Sequence, residues 1–598
     1  MDLMVRANGM IRYRILLIGG SLAFLFGLGT GAAVADEDGK LAAFFQKYLD
    51  EEFKLKPLEA TRLGDHRFDH LLEDLSPKAR AGWRNQPQKF LQELSSHVDF
   101  NALTPSGKID YAIFLTNLRR ALWLADNTRP FEEDPRIYND YITDSIYLLL
   151  TQSTLTKGEN LKNCVARMEQ IPRVVAAARE SLQNPPRVFV GTAIRQNRGS
   201  IAFYERGIFA MAGETPVLSE LKPAARKVVE SLTEYGRFLE ESLLPAANGE
   251  WRLGKERFAK KFDLELEADL SPAEVLREAE AEFDRVEREM YTIAKQLWSR
   301  AFPRQPLPPD DAAGRRAVIT QTLIHLNKDH GKAEDLVRDA STIALQIKKF
   351  IAERDILRLP DPDRCQIMEM PEFQRGNTVA FLNPAPPLDP RAASVYAISP
   401  PAKEWNSRQV NSYLEEYNRH MLHLLTIHEA FPGHYVQLEY SNRHPSLIRK
   451  VLSSGVFAEG WAVYTEQMML DQGYGNGDLA LRLNQLKWYL RAVANAILDN
   501  RMHCASMTDE DALTFLTERA YQTEAEALAK IVRAKQSSCQ LSTYFVGRMA
   551  FYNLRQTMQR ELGDQFDLGR YHEAVLDHGT LAVRYLPQLV RDRLKQPR

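Results

Sequence analysis

Apolar side chains recur every three to four residues over most of the chain, which is the spacing of one buried face of an α-helix. Ser271 and Glu274 form a capping box with Pro272 at the first helical position, which predicts a helix over 271–298. We therefore expect a mainly α protein. The longest stretches with the helical pattern are 78–125, 155–245 and 314–355.

Two regions interrupt the helical pattern. Residues 302–311 are rich in proline and predict a loop. Residues 359–401 contain further prolines and three short runs of β-forming residues. We expect these runs to form a small β-sheet near the functional site: Cys365–Met370, Val379–Asn383 and Ser394–Ser399.

The length of 598 residues allows either several domains or one large helical domain. A loose boundary near Asn248-Gly249 would divide an N-terminal helical region, 36–250, from a C-terminal region, 251–598. The C-terminal region would then hold both the small sheet and the functional site. One continuous domain is the alternative.

The first 35 residues have the pattern of a secretory signal peptide. Three arginines precede an apolar run over 15–28, and small residues ending in Ala33-Val34-Ala35 follow. We expect cleavage after Ala35 and a secreted or periplasmic protein, with an uncleaved membrane anchor as the alternative. The segment has no cysteine, which excludes a lipoprotein anchor, and no later stretch approaches the roughly 18 apolar residues of a membrane span.

Charge and cysteine content exclude two further classes of protein. The chain has 77 Lys+Arg against 79 Asp+Glu, so no basic excess is present to bind a nucleic-acid backbone. Its four cysteines include no CxxC pair, which argues against a disulfide scaffold and against a thiolate zinc site. Either Cys504 pairs with Cys539, or all four cysteines are buried thiols.

The strongest chemical signal is the segment His428-Glu429-Ala430-Phe431-Pro432-Gly433-His434. A stripe of apolar residues at helical spacing leads into it, so His428 takes the next buried position. A charged Glu429 there needs a partner, because unpaired burial is costly, and a metal ion bound by neutral imidazole would serve. The stripe consists of Leu414, Tyr417, Met421, Leu424 and Leu425.

The spacing of the two histidines requires a break in the helix. In the zinc-protease pattern HExxH, histidines four residues apart share one helical face. Here they are six residues apart, which places them about 120° apart on a straight helix. Because the ring of Pro432 would clash with the carbonyl group of His428, we expect the helix to kink or end at Phe431 and His434 to return toward His428. Without a metal, His428 would cap a core helix and Glu429 would form an ion pair.

A third metal ligand is expected in the apolar segment 456–469. Glu459 lies there 25 residues after His434, an interval that fits a loop and a helix, as in zinc enzymes with two histidines and one glutamate. Glu466 shares its helical face and is a candidate to orient a ligand histidine. The alternatives are a solvated Glu459 at a helix start and a surface Glu466.

Three more residues are candidates near the metal. Asp499 and His503 are four residues apart on one helical face, where the carboxylate would orient the histidine so that it stabilises an oxyanion. Tyr544 is another possible donor. The alternatives are a surface pair for Asp499 and His503, and a core position for Tyr544.

These motifs resemble the domain-of-unknown-function family 885, which is grouped with the zincin-like metallopeptidases. The family's HExxPGH signature matches His428–His434, and its EGWAxYxE signature matches Glu459–Glu466. Looser matches extend the resemblance over roughly residues 40–590. They are Pro57–Gly64, Met370–Phe373, Val395–Ile398, Gln540–Gly547 and Phe566–Leu586.

The resemblance implies a large helical zincin-like fold with a small β-sheet and one Zn²⁺ ion. His428, His434 and Glu459 would hold the metal, and Glu429 would be the general base.

The resemblance also singles out three further residues. His503 and Tyr544 would be catalytic, since they stand where the family has D-T-G-x-H and Q-x-x-x-Y segments. Tyr396, in the segment similar to a strand before the family's site, is a candidate for substrate binding. The small T-G pair of the family is replaced here by Asn500-Arg501, a departure that concerns substrate recognition and leaves the metal ligands intact.

We therefore expect a secreted or periplasmic zinc metallopeptidase that hydrolyses short peptides. Two alternatives remain. One is a non-catalytic helical binding protein with a relict or structural metal site, and the other is a metal-dependent hydrolase of non-peptide amides or esters. No GxSxG segment lies near the motifs to suggest a serine hydrolase.

Overall fold

The computed structural model describes residues 30–370, 380–401 and 405–596, and they are mainly α-helical, as the sequence predicts. The predicted signal segment lies mostly outside the described residues. Among the residues described, no helix combines the length and the apolarity needed to cross a membrane. The helices are α1 (Thr30–Leu55), α2 (Pro57–Leu63), α3 (Pro77–Trp83), α4 (Asn85–His97), α5 (Pro105–Asn127), α6 (Pro130–Glu133), α7 (Arg136–Thr151), α8 (Lys157–Met168), α9 (Ile171–Ser181), α10 (Arg187–Ala202), α11 (Ile208–Ala212), α12 (Leu218–Arg237), α13 (Leu244–Ala246), α14 (Lys255–Leu266), α15 (Pro272–Ala301), α16 (Ala312–Asn327), α17 (Leu336–Glu353), α18 (Ser407–Glu416), α19 (Arg419–Glu429), α20 (His434–Asn442), α21 (Leu447–Val451), α22 (Gly455–Asp471), α23 (Leu479–Cys504), α24 (Asp509–Thr514), α25 (Glu524–Gln536), α26 (Gln540–Leu562), α27 (Leu568–Leu576) and α28 (Leu586–Leu594).

Local signals in the sequence account for several helix ends. The predicted capping box forms at the start of α15, where the Ser271 side chain accepts from the backbone N–H of Glu274 and the Glu274 side chain binds back to Ser271. The proline-rich residues 302–311 separate α15 from α16, as predicted.

The small sheet has the three predicted strands, in the order β1-β3-β2. The central strand β3 (Ser394–Ile398) pairs in parallel with β1 (Cys365–Glu369) and antiparallel with β2 (Ala380–Asn383). The first residue of the second predicted strand, Val379, lies outside the described residues. Because β2 is an edge strand, the backbone groups on its outer side are available to other parts of the chain.

Buried apolar side chains form two cores. The larger core joins α1, α4 and α5 to the chain from Phe258 onward, and the helices around the candidate site belong to it. The smaller core lies mainly between Tyr138 and Ala247, in the helical N-terminal half. The predicted boundary at Asn248-Gly249 falls in the interval between Ala247 and Phe258 and stays a prediction.

Helices α22 and α23 and the first half of α26 are buried on nearly all sides and pack closely against one another. The closest approach lies between Gly460 on α22 and Gly547 on α26. A Cβ atom added to Gly460 would lie 2.3 Å from the Cα atom of Gly547, far inside van der Waals contact. Two glycines therefore let the backbones touch one residue away from Glu459.

The apolar stripe that leads into the His428 segment is divided between two helices. A single helix was expected from Leu414 to His428, but α18 ends at Glu416 and α19 begins at Arg419. The break follows from Asn418, whose side-chain Oδ1 accepts from the backbone N–H of Met421 at 3.1 Å and so caps α19.

All four cysteines are free thiols. Cys164 and Cys539 are buried, whereas Cys365 and Cys504 are half-buried. The pairing of Cys504 with Cys539 is therefore not present, and the alternative of buried thiols holds in full for two of the four cysteines.

The contact between Gly460 and Gly547 predicts the effect of adding one methyl group. We expect Gly460→Ala to lower the free energy of unfolding by about 1–3 kcal/mol, because the helices must move apart. Urea unfolding followed by circular dichroism measures this change. Gly191→Ala, also inside a helix but with no atom within 4 Å of the new Cβ, is the control and should be neutral or slightly stabilising. Equal midpoints for the two variants would contradict the prediction.

Candidate metal centre

The chain reverses direction between Glu429 and His434. Helix α19 ends at Glu429, two residues before the break expected at Phe431, and α20 begins at His434. The backbone N–H of Gly433 donates to the carbonyl oxygen of Ile427 at 3.0 Å. A Cβ atom on Gly433 would lie 1.9 Å from the carbonyl oxygen of His428, so only glycine fits.

This reversal brings the two histidines together despite their six-residue spacing. The ring centroids of His428 and His434 lie 4.8 Å apart, and the rings are nearly perpendicular at 89°. The sequence-based expectation that His434 returns toward His428 agrees with this geometry.

Helix α22 supplies the third member of the cluster. Glu459 Oε2 lies 3.9 Å from Nε2 of His428 and 3.6 Å from Nε2 of His434. One ligand atom from each of the three residues fits within 4.8 Å of the others. Two atoms bound to one zinc ion at tetrahedral geometry lie roughly 3.4 Å apart, so a small contraction would bring this set to coordination distance.

An unsatisfied oxygen supports the fit of a cation at this point. Glu459 Oε2 is buried and makes no hydrogen bond within the described part of the chain. A buried carboxylate oxygen without a partner is costly, and two imidazole nitrogens face the same oxygen. Two nitrogen donors and one carboxylate oxygen are a donor set that zinc prefers.

Glu466, about two turns further along α22 than Glu459, orients His428. Its Oε1 lies 2.7 Å from Nδ1 of His428, and Trp488 Nε1 on α23 donates to the same oxygen at 3.1 Å. Donation from Nδ1 to the carboxylate leaves the lone pair of Nε2 directed toward Glu459. Glu466 thus contacts a histidine of the cluster, which is the position that the sequence suggested for it.

Burial and neighbouring charges shift the pKa values of the three cluster residues in different directions. Burial lowers the pKa of His428. Burial alone would also lower the pKa of His434, but its contact with Glu459 outweighs that effect and raises the pKa. Burial opposes ionisation of Glu459 too, yet the two histidines hold its pKa below the ordinary value. The acidic partner of the cluster is therefore kept ionised, as a metal ligand must be.

Glu429 is the last residue of α19 and lies beside this cluster, with a separate partner. Its Oε2 accepts from the backbone N–H of Leu382 on the edge strand β2 at 2.9 Å. Burial raises the pKa of Glu429, and the nearby charge of Glu459 adds to the rise, whereas both histidines lower it. The small sheet therefore contributes directly to the site by holding one glutamate oxygen.

A recessed pocket of about 230 Å³ opens onto His428 and Glu429. Tyr544 on α26 lines the pocket, and its hydroxyl oxygen accepts from the Arg533 guanidinium at 3.0 Å. Burial and the negative charge of Glu459 raise the pKa of Tyr544 to about 12. The phenol therefore keeps its proton at neutral pH and faces the pocket as a donor.

His503 and Asp499 lie elsewhere and serve the packing of helices. His503 Nε2 contacts the carbonyl oxygens of Ala534 at 3.0 Å and Ser537 at 2.8 Å, at the end of α25. Its ring packs between Trp251 and Phe258. The expected role of His503 beside the metal is corrected accordingly, because these carbonyls and rings surround it and it does not line the pocket.

Asp499 forms hydrogen bonds with the start of α26, and not with His503 as expected. Its Oδ1 accepts from the backbone N–H of Cys539 at 3.1 Å, and its Oδ2 accepts from the Ser542 hydroxyl at 2.8 Å. The sequence placed Asp499 near the metal with His503 as its partner. The difference arises because helix α23 is buried all round, so its polar residues face other helices and not one common site.

Tyr396 also differs from the expectation. Its side chain is fully buried on the central strand β3, and its hydroxyl lies 3.4 Å from Thr426 Oγ1. It is not among the residues that line the pocket, and its hydroxyl instead faces α19.

Four groups at the site had no counterpart in the sequence reasoning. They are the backbone N–H of Leu382 and the side chains of Trp488, Lys530 and Arg533. The two cations stand three residues apart on one helix shortly before Tyr544, and that spacing was the available signal. Trp488 and Leu382 carried none, because a backbone group and a buried indole leave no specific pattern.

Comparison with known proteins identifies the family. The chain matches the family described as "Bacterial protein of unknown function (DUF885)" over residues 57–590. The protein belongs to this family. Among curated proteins, none matches the sequence.

Two solved structures resemble this DUF885 protein over nearly their whole length. One is described as a "putative lipoprotein of unknown function" from Shewanella oneidensis, with a TM-score of 0.77, 29% identity, and coverage of 92% of this chain and 99% of the other. A "putative lipoprotein" from Colwellia psychrerythraea has a TM-score of 0.75 and 18% identity, covering 94% of this chain and 99% of its own. The Colwellia likeness shows the shared fold.

The geometry of the three-residue cluster predicts the metal content of variants. We expect the purified protein to bind about one zinc ion per chain and His434→Ala to lose it, because one of three donors is removed. Plasma mass spectrometry after equilibration with zinc measures the content. His423→Ala is the control, since His423 lies on α19, the helix that carries His428, but contacts Tyr474 at 2.7 Å outside the cluster. Retention of zinc by His434→Ala would contradict the assignment.

Proposed function

We infer that this DUF885 protein is a zinc-dependent metallopeptidase of the zincin-like type that acts on short peptides. One observation carries the proposal: two imidazole nitrogens face one unsatisfied carboxylate oxygen, and a second buried glutamate, Glu429, stands beside them at the wall of a pocket. A structural zinc site closes its shell with four protein ligands, whereas three ligands next to a pocket leave a position for water or substrate. The cluster therefore supports catalysis better than a purely structural metal.

A bound zinc ion would lower the pKa of water to near neutrality and polarise the carbonyl group of the substrate. Glu429 would accept a proton from that water. The N–H of Leu382 holds Oε2 of Glu429, so the carboxylate keeps one orientation while it receives the proton. Glu429 would then deliver the proton to the leaving amine, and burial, which raises its pKa, favours the protonated form that makes this step possible.

Tyr544 would donate its phenolic hydrogen to the substrate oxygen as negative charge develops there. Arg533 donates to the hydroxyl oxygen of Tyr544, which fixes the phenol and leaves its own hydrogen free to point into the pocket. Glu466 would keep His428 in the tautomer that presents Nε2, by accepting from Nδ1.

The size of the pocket supports small substrates. A volume of about 230 Å³, enclosed by helices and the edge strand, does not admit the surface of a folded protein. The N-terminal sequence pattern and the description of both similar structures as lipoprotein candidates support a location outside the cytoplasm.

Removal of the base should abolish turnover and spare the metal. We expect Glu429→Gln to lower kcat by about 10²- to 10⁴-fold on any peptide that the wild type cleaves, with zinc content unchanged. A panel of short peptides, with matched esters and non-peptide amides, followed by chromatography gives the measurement and separates the peptidase from the alternative hydrolase. Glu518→Gln, an exposed substitution of the same type, is the control. Near-full activity of Glu429→Gln would refute the mechanism.

The donor role of Tyr544 has a separate kinetic signature. Because its hydrogen bond would form mainly in the transition state, Tyr544→Phe should lower kcat by roughly 10²-fold and change KM little. Steady-state kinetics on the best peptide of the panel provides the values. A change confined to KM would show that Tyr544 binds the ground state and is no oxyanion donor.

A further inference from the structure

The pocket contains two cationic side chains to which the proposed hydrolysis assigns no contact with the substrate. Lys530 and Arg533 lie three residues apart on α25, and both line the pocket with Glu429 and Tyr544. Residues with this spacing share one face of a helix, so the two charges are directed to the same side.

Lys530 has the more unusual surroundings. Its side chain is 8% exposed, and within the described residues it makes no hydrogen bond and no ion pair. Lysine is almost never buried to this degree without a partner, because taking its charge out of water is costly. Because Lys530 lines the pocket, a ligand in the pocket can contact its ammonium group.

The neighbouring arginines differ in how far they are neutralised. Arg491 pairs with Glu526 at 2.9 Å and lies 4.0 Å from Glu416, so its charge is balanced. Arg533 contacts the neutral hydroxyl of Tyr544 and has no carboxylate oxygen within 4.0 Å in the described part of the chain. Burial lowers the pKa of Lys530, the positive charges of Arg491 and Arg533 add to this effect, and the negative charge of Glu526 opposes it. The pocket thus holds an excess of positive potential on this side.

The glutamates at and beside the metal cluster do not neutralise this excess of positive charge. Glu459 faces the two histidines, and Glu429 is held by Leu382. A divalent cation at the cluster would balance these two carboxylates, which leaves Lys530 and Arg533 as uncompensated charges in the loaded protein. An anionic group in the pocket would compensate both.

We propose that Lys530 and Arg533 bind a carboxylate of the peptide substrate, next to the bond that is cleaved. A guanidinium group binds a carboxylate with two parallel hydrogen bonds, and an ammonium group adds a third donor. Since the pocket of about 230 Å³ admits roughly one amino-acid residue beyond the scissile bond, the carboxylate belongs to the terminal residue of the peptide. This inference rests on the proposed peptidase function. It implies that the enzyme releases the C-terminal residue of a peptide when that residue carries a carboxylate.

Two carboxylates have the required chemistry: the C-terminal carboxylate itself and the side chain of a terminal aspartate or glutamate. Three peptides separate these sources. All are N-acetylated tripeptides that share their first two residues and end in leucine with a free carboxylate, in leucine amide, or in glutamate α-amide. The first carries the carboxylate on the backbone, the second carries none, and the third carries it on the side chain.

Binding can be measured without turnover. Isothermal titration calorimetry of the zinc-loaded Glu429→Gln protein with each peptide gives the affinities. We expect the free acid to bind about 10- to 100-fold more tightly than the leucine amide, the range typical of hydrogen bonds to a charged partner. In the double variant Glu429→Gln, Lys530→Met this ratio should fall toward one, whereas Lys530→Arg should keep most of it.

The control and a folding readout accompany the measurement. Lys535→Met removes a lysine of the same helix that pairs with Asp509 at 2.6 Å, and it should leave the ratio of acid to amide affinity unchanged. Because an unpaired buried charge destabilises the free protein, Lys530→Met should also raise Tm. A fold that merely needs Lys530 for packing would change Tm without changing the ratio, and that result would overturn the proposal.

Failure of this proposal and failure of the peptidase function are distinguishable. Equal affinities for all three peptides, or no binding of any peptide, overturn the carboxylate proposal even if wild-type protein hydrolyses peptides. A clear preference for the acid that depends on Lys530 supports it even if no hydrolysis occurs, in which case the peptidase function fails alone. Tighter binding of the glutamate α-amide than of the leucine amide assigns the site to side-chain carboxylates.

Discussion

The reversal of the chain between Glu429 and His434 is the constraint on which the candidate site depends. Two helices must end and begin within a few residues, and Gly433 must approach the carbonyl oxygen of His428 more closely than any side chain allows. A straight helix would direct the histidines about 120° apart. Because the turn is fixed by backbone contacts of α19, both imidazoles face α22 before any ligand arrives. Glu459 then needs only to lie on α22, the helix that both imidazoles face. The contact between Gly460 and Gly547 anchors α22 one residue from Glu459.

Three glutamates around this turn have different partners, and these partners give each carboxyl group a different pKa. Glu459 faces two histidines, which lower its pKa, so it is suited to remain ionised. Glu429 is held by a backbone N–H and its pKa is raised, so it is suited to exchange a proton. Burial raises the pKa of Glu466 strongly, while its Oε1 contacts His428 and Trp488. Environments that push the pKa values of neighbouring carboxyl groups apart are what acid–base chemistry at one site requires.

The sequence predicted those features that depend on local rules. Strand positions, the capping box at Ser271 and the break near Pro432 follow from residue type and spacing, and the structure agrees with them. The errors concern residues whose partners are distant in sequence. His503 and Asp499 share a helical face, but that helix is buried on all sides, so each binds a different backbone segment. Lys530 and Arg533 were missed for the same reason, since their significance arises only when α25 lies across the pocket.

The burial of Lys530 costs stability in the free protein, and in the proposed function it serves the binding of a ligand. Another buried lysine, Lys487, is paired with Glu416 at 3.0 Å. An unpaired lysine at the pocket wall lowers the stability of the free protein. Such exceptions concentrate at functional sites, where a ligand restores the missing partner. Residues of α22, α23 and α26 line the pocket beside Lys530, and the buried side chains of these helices stabilise the fold and so offset this local cost.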